Sequence, residues 1–532
     1  MSLYDYLIII GYLLGTIGIG IYLWQQSANL KDYFLAGRKL PFYLSGISMV
    51  ATTFAADTPL AVTGIVAKDG IAGNWLWWSL AFSGLLTTFF FADLWRRSEV
   101  MTDAEFCLLR YGERHGRLLQ KLRAFYQGII VNTLIMAWVT TGMHKVLSIA
   151  FGLEKPIYLF FLYVITVFYI LFSGLRAVVL LDFVQFWVAM AGSILLAYMA
   201  VEACGGLNLL REKLLEANLS SKLVFFPGPQ DELFLVVLFY LGVPWWASSY
   251  PGAEPGGGSY VAQRLFSSKD EKHALWAALL FNYSHYVLRA WPWILTALAG
   301  LILLPPLKDG EEIYPLLMKK LMPPGLLGVM ALVFISAFMS TISTHLNLGS
   351  SYLVNDLILP LWAPRSQHHQ LILGALSTII LATIAFLLSL YFSTVREVWE
   401  FVLLLGAGSG PVFILRWFWW RIHAYCEIVA MLCSFLVGLS LKLWGGVNFM
   451  SSMLINVTLT TLCWFIITLV VRPCDCLSVE HFFKKVQPGG LWGPFEQYRK
   501  IPYQARKRFL AYLLSLAGLL GLQVFLHWLF VK

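Results

Sequence analysis

Charge is what this chain has least of. Only 13% of its 532 residues are Asp, Glu, Lys or Arg, against about 25% in a soluble globular domain. Hydrophobic residues make up 59%, and mean hydropathy is +0.72. A water-soluble fold has no use for so much apolar surface, so the chain reads as an all-α integral membrane protein. Strand-like alternation is also missing. The apolar residues come in long blocks, which excludes an outer-membrane barrel of alternating ten-residue strands. No loop is long enough for a soluble signalling domain. Neither HExxH nor GxSxG occurs, which leaves no common hydrolase signature and argues against an enzyme. The seven cysteines are scattered. Cys474 and Cys476 form a CxC, too few ligands for a metal site without others.

What is present is a series of apolar runs of about 20 residues, the length of a membrane crossing. Fourteen are expected, at 4–24, 41–67, 75–95, 122–150, 155–173, 176–203, 233–251, 272–304, 325–354, 371–393, 395–419, 424–442, 449–471 and 507–530. No Lys or Arg precedes the first, and no small-residue cleavage site follows it, so it reads as a retained helix rather than a signal peptide. Most of the 38 Lys and Arg fall in the loops that lie inside if the N-terminus is outside. The positive-inside rule therefore puts both termini outside a cell (inner or plasma) membrane. The net charge of +9 belongs to the inner membrane face, and no nucleic-acid partner is implied. The longest connections are 204–232, 305–324 and 472–506. The first two carry short outer helices. The third is basic and aromatic and reads as a cytosolic loop lying on the anionic membrane surface.

Two spans, 41–67 and 233–251, are interrupted by proline or glycine, and four spans lie between them. Interrupted helices at corresponding places in two repeats point to a transporter binding site. The spacing of five gives an inverted five-plus-five arrangement, with one extra helix before it and three after. The expected segments are 4–24, a first repeat at 41–203, a second at 233–419, and C-terminal helices at 424–530.

The first interruption reads VATTFAADTPLAV. Pro59 lacks a backbone donor and clashes one turn back, so it is expected to free the carbonyl of Ala55. Asp57 places a carboxylate there at roughly 2.5–3.5 kcal/mol on insertion scales, and Thr52, Thr53, Thr58 and Thr63 add hydroxyls. A cation could satisfy such a group. A proline kink with back-bonded hydroxyls is the plainer reading. In VFISAFMSTISTHLNLGSS, Ala337, Ser340, Thr341 and Thr344 share one helix face. Hydroxyls and carbonyls together suit a hard cation such as sodium. A small-residue packing seam is the alternative.

Here the residues carry a resemblance. SAFMSTISTHLNLGSSYLVND resembles the eighth core helix of the sodium:solute symporter family. DYFLAGRKLPFYLSGISMVATTFAADTP resembles the approach to its broken first core helix. MTDAEFCLLRYG, SGLRAVVLLDFVQ and SYVAQRLFSSKDEKHA resemble, in order, its short inner helix after the second core span, the start of its fifth core helix and the inner loop after its sixth. The resemblance implies a LeuT-like fold and sodium-driven alternating access. It implies a sodium site of the backbone carbonyls of Ala51, Phe54 and Ala337 with the hydroxyls of Ser340 and Thr341. It also implies that Asp182 lies near the sodium exit path, although Leu181 stands where the family has Thr. The sixth core helix departs from better-known members, and the alignment puts Glu254 near the position of an aromatic gate in sugar-transporting ones.

Candidate substrate residues are Thr53, Asp57, Trp78, Trp246, Glu254 and Arg289. Arg289 lies deep in its span, where an ionisable residue is a functional candidate by default. It could bind a carboxylate or phosphate with its planar fork, or pair with Glu254 or Asp57. Trp75 reads as part of an interfacial belt, while Trp77, Trp78, Trp245 and Trp246 could stack on a sugar or a cation. His285 and His345 read as satisfied polar contacts. The function expected is sodium-coupled symport of a small polar organic solute (sugar, sugar acid, amino acid or other carboxylate) by a monomer or weak homo-oligomer in a lipid bilayer. A proton-coupled transporter and a non-transporting solute sensor are the alternatives.

Overall fold

Lipid offers no partner to backbone N–H and C=O groups, so a spanning chain pairs them within helices. A computed structural model describes residues 3–24, 30–362, 366–391, 395–471 and 476–531, and among them every named element is helical. Cys474 and the side chain of Cys476 lie outside the described residues.

The main helices are α1 (Leu3–Trp24), α2 (Phe42–Thr53), α3 (Thr58–Asp69), α4 (Ile71–Ser98), α5 (Phe106–Phe151), α6 (Ile157–Ala203), α7 (Leu233–Gly242), α8 (Ser259–Ser267), α9 (Glu271–Leu303), α10 (Leu326–Ile358), α11 (Gln367–Ser389), α12 (Val395–Leu405), α13 (Gly410–Phe418), α14 (Ala424–Trp444), α15 (Phe449–Val470) and α16 (Ala505–Val531). Among the described residues, nine helices are long and apolar enough to cross a membrane. The pair α2 and α3, bent by 58°, makes a tenth. The two expected outer helices form at Leu207–Glu216 and Ile313–Leu321.

Burial is distributed as lipid demands. Trp187, Ile466 and Leu514 are exposed, while Asp57, Asp182, Arg264 and Arg289 are buried. The innermost helix is α10, which packs against α5, α6, α1, α11 and α2.

The helical residues of α6 hold two apolar stretches, Ile157–Phe168 and Leu175–Ala203, and both meet the middle of α10: the Tyr163 ring centre lies 5.5 Å from that of Phe338, and Asp182 accepts from Ser340 at 2.6 Å. Two expectations are corrected. The segment 252–272 is not simply an inner loop. Its glycines form a buried turn, and α8 after it is buried along its whole length. Gly257 has φ +79°, and a Cβ there would stand 2.8 Å from Trp95 Nε1. The glycine density thus serves a close approach of backbone to α4. Finally, the aromatics of 476–498 do not lie out on a membrane surface. Phe482, Phe483 and Trp492 are buried within the protein, and the guanidinium of Arg110 lies 5.0 Å from the Trp492 ring centre and 5.3 Å from that of Phe482. Their rings find apolar and cationic partners in the protein itself, a better match than headgroups.

Candidate functional site

The site forms where α2 breaks. The helix ends at Thr53. Phe54 leaves helical geometry, with its N–H still donating to the carbonyls of Val50 (2.9 Å) and Ala51 (3.0 Å). Pro59 stands in the first turn of α3, where its missing N–H has no intrahelical partner to lose. The carbonyl of Ala55 is therefore not freed, because the Thr58 N–H donates to it at 3.2 Å. The chain has already broken before the proline can act. Thr58 Oγ1 spans the break and donates to the Thr53 carbonyl at 3.2 Å.

The polar face of α10 lies against this break. Thr341 Oγ1 donates to the Thr52 carbonyl (2.8 Å) and to that of Ala337 (3.1 Å). Its neighbour Ser340 donates to Asp182 Oδ1 at 2.6 Å. Asp182 Oδ2 accepts from Ser48 of α2 at 2.5 Å. Arg264 of α8 lies 3.6 Å from the same carboxylate and donates to Ser48 Oγ (3.1 Å) and Thr344 Oγ1 (2.7 Å). Four helices, α2, α6, α8 and α10, thus meet in one buried polar network. Ala51, Phe54, Ala337, Ser340, Thr341 and Asp182 are gathered there. Arg264 and Ser48 escaped sequence reasoning. Arg264 stands in a short polar stretch that reads as loop, and its only signal was a charge inside a helix-compatible run.

A cavity of about 100 Å³ adjoins this network. Its walls include Thr53, Asp57 and Arg289, and also Thr52 and Thr341 from the ion-side network. Arg289 follows a wide turn at Ser284–Leu288, where its N–H donates five residues back to the Ser284 carbonyl at 3.2 Å. Such π-bulges gather at functional sites. The guanidinium donates to Thr53 Oγ1 (3.0 Å) and to the His285 carbonyl (3.2 Å), and lies 5.3 Å from the Trp293 ring centre. Thr53 Oγ1 is also 2.8 Å from His285 Nδ1. Asp57 is 1% exposed, and among the described residues its Oδ1 has no hydrogen-bond partner. Gly142 of α5 lets the turn at Asp57 approach, since a Cβ there would meet Asp57 Cα at 2.7 Å.

Three sequence candidates are not brought to this cavity. Trp78 is buried against Trp75 and Phe225, and Trp77 faces the cavity instead. One residue along a helix turns the side chain by about 100°. Trp75 is no belt residue either, being 5% exposed with its indole N–H donating to the Phe225 carbonyl at 2.9 Å. Trp246 bonds back to the Gly242 carbonyl at 2.6 Å, and Tyr250, four residues on, lines the cavity. Glu254 lies beyond the wall, its Oε2 accepting the Gly252 N–H at 3.0 Å. Arg289 pairs with neither Glu254 nor Asp57: among the described residues it forms no ion pair. His345 lines the cavity and lies 2.5 Å from Asn132 Oδ1 through its Nδ1.

The profile of the sodium:solute symporter family matches residues 33–434. The chain belongs to the sodium:solute symporter family. The osmoregulated proline transporter of Bacillus subtilis is 25% identical over 79% of this chain and 85% of its own length. Sodium/glucose cotransporter 1 of Oryctolagus cuniculus is 23% identical over 82% of this chain and 71% of its own. A Na+-coupled sialic acid symporter, solved substrate-bound and outward-open, superposes with a TM-score of 0.74 at 18% identity, covering 89% of this chain and 99% of its own. The symporter therefore has the family's LeuT-like helical fold, and sodium is the ion that such a symporter co-transports.

Proposed function

We propose that the protein imports a small polar organic solute bearing a carboxylate, driven by sodium through alternating access. Sodium binds the carbonyls of Ala51, Phe54 and Ala337 and the hydroxyls of Ser340 and Thr341. Asp182 lies on its path inward. One observation carries the coupling: Thr52 and Thr341, which join α2 to α10, also line the cavity. An ion that fixes this contact fixes a wall of the solute site, and the coupling is reciprocal by thermodynamic necessity. Arg289 supplies the carboxylate site.

The finer architecture belongs to the same reading. Fourteen crossings arise from the nine long helices, the bent α2–α3 pair, the shorter apolar helices Leu3–Ile19, Ile157–Phe168 and Leu233–Ala247, and α12 with α13 as one broken span. The repeats are 41–203 and 233–419, inverted, flanked by 4–24 and 424–530, with both termini outside. Relatives named for proline and for glucose leave the solute to be argued from the site.

The test is thermal stability of the purified protein in sodium against potassium, for wild type and for Ser340→Ala with Thr341→Ala. A ligand that binds the folded state stabilises it by mass action. Sodium is expected to stabilise the wild type and not the double variant. Equal stability in both salts refutes the ion site.

A further inference from the structure

The cavity holds an acid and a base that form no salt bridge with each other among the described residues. Asp57 and Arg289 both line it, both are about 99% buried, and neither forms an ion pair among the described residues. Arg289 is held back by neutral acceptors, the Thr53 hydroxyl and the His285 carbonyl, which tie it to α2 and to its own helix. Asp57 is fixed in the break between α2 and α3 and pressed on Gly142, with Oδ1 unpartnered among the described residues. Uncompensated charge inside a membrane is costly and marks a site where something else supplies the partner.

We propose that the solute is a compact zwitterion, its cationic nitrogen at Asp57 and its carboxylate at Arg289. This rests on the transport reading above and names its substrate class. A carboxylate alone leaves Asp57 unmatched, and an amine alone leaves Arg289 so. A neutral sugar leaves both charges unmatched, and no Asn or Gln is among the described lining residues to bond its hydroxyls. The remaining wall suits an alkylated ammonium. Trp77, Trp138, Tyr250, Tyr286 and Trp399 line it, and the Trp77 and Tyr286 rings stack with centres 6.1 Å apart. Aromatic faces attract cations, most strongly where water is excluded. A carboxylate meets the planar guanidinium through two parallel hydrogen bonds.

The test uses the purified full-length protein in sodium, reading thermal stability and the quenching of tryptophan fluorescence. The probes are the twenty amino acids and glycine betaine as zwitterions, cyclopentanecarboxylate as the carboxylate alone, pyrrolidine as the cation alone, and galactose as the neutral solute. At least one zwitterion is expected to bind, and at least tenfold more tightly than any other class. Asp57→Asn and Arg289→Gln should each weaken that binding at least tenfold, while sodium alone still stabilises both variants and so reports that they are folded. Tighter binding of galactose or of either singly charged probe overturns the proposal. So does the absence of any zwitterion binding while sodium still stabilises the protein, an outcome that leaves the sodium site standing. Zwitterion binding that is indifferent to sodium supports the substrate class and fails the symport reading alone.

Discussion

Gly142→Ala is a substitution of one methyl group that should damage the ion site from a helix that supplies none of its ligands. The added Cβ would lie 2.7 Å from Asp57 Cα, 2.7 Å from Asp57 Cβ and 3.0 Å from Asp57 N. Ordinary contact starts at 3.4 Å, so the break must retreat from α5 by about 0.7 Å, the difference between 3.4 and 2.7. Two of the three atoms are backbone, and no rotamer change relieves them. Overpacking of this kind costs about 1–3 kcal/mol. At about 1.4 kcal/mol per tenfold, the sodium concentration for half-maximal thermal stabilisation should rise by about 5- to 100-fold if most of that strain is relieved by opening the break. Gly521→Ala on α16 is the control, because a Cβ there meets nothing within 4 Å. Equal sodium midpoints for Gly142→Ala and Gly521→Ala would refute the packing of the break on α5, and with it the argument that Asp57 is fixed at the cavity wall.

Three further outcomes are expected. Arg264→Ala strands the buried Asp182 carboxylate and should destabilise the protein by about 3–5 kcal/mol in thermal or denaturant unfolding; a variant as stable as wild type would remove Arg264 from the network. Trp492→Ala takes a fully buried ring from beneath Arg110 and should cost about 3–5 kcal/mol, exposing the segment 476–498 to limited proteolysis that the wild type resists; unchanged cleavage would mean that the segment is not docked there. Asp5 of α1 accepts the N–H groups of Gly325 and Gly328 at 2.7 Å each, at the start of α10. Asp5→Ala should therefore cost about 0.5–2 kcal/mol, the worth of a helix cap, and a neutral effect in the same unfolding assay would show that α1 does not cap α10.

Much of this architecture was legible because lipid simplifies the code. Apolar blocks located nearly every helix, and the Asp and Pro in VATTFAADTPLAV located the break that shapes the site. The facing hydroxyls of Ser340 and Thr341 followed from helical spacing alone. What stayed hidden is what depends on rotation and close approach. Hydropathy does not phase a run such as WLWW, so Trp78 stood in for Trp77. A half-helix as polar as SYVAQRLFS looks like loop until the buried partners of Arg264 and Gln263 are seen. The glycines after residue 251 fell outside the expected span because they carry no apolar side chain, whereas Gly257 lets α4 approach. The aromatics of 476–498 looked interfacial because a sequence does not say whether a Trp meets a headgroup or the guanidinium of Arg110.

The central claim is that sodium joins the broken helix to α10 through Ser340 and Thr341. Its most direct test is equilibrium binding of radioactive sodium to the purified protein, wild type beside Ser340→Ala with Thr341→Ala. Saturable binding to the wild type that the double variant loses, while both keep the same helical content, is the result predicted. Saturable binding of equal strength to both proteins, or none to either, would contradict it.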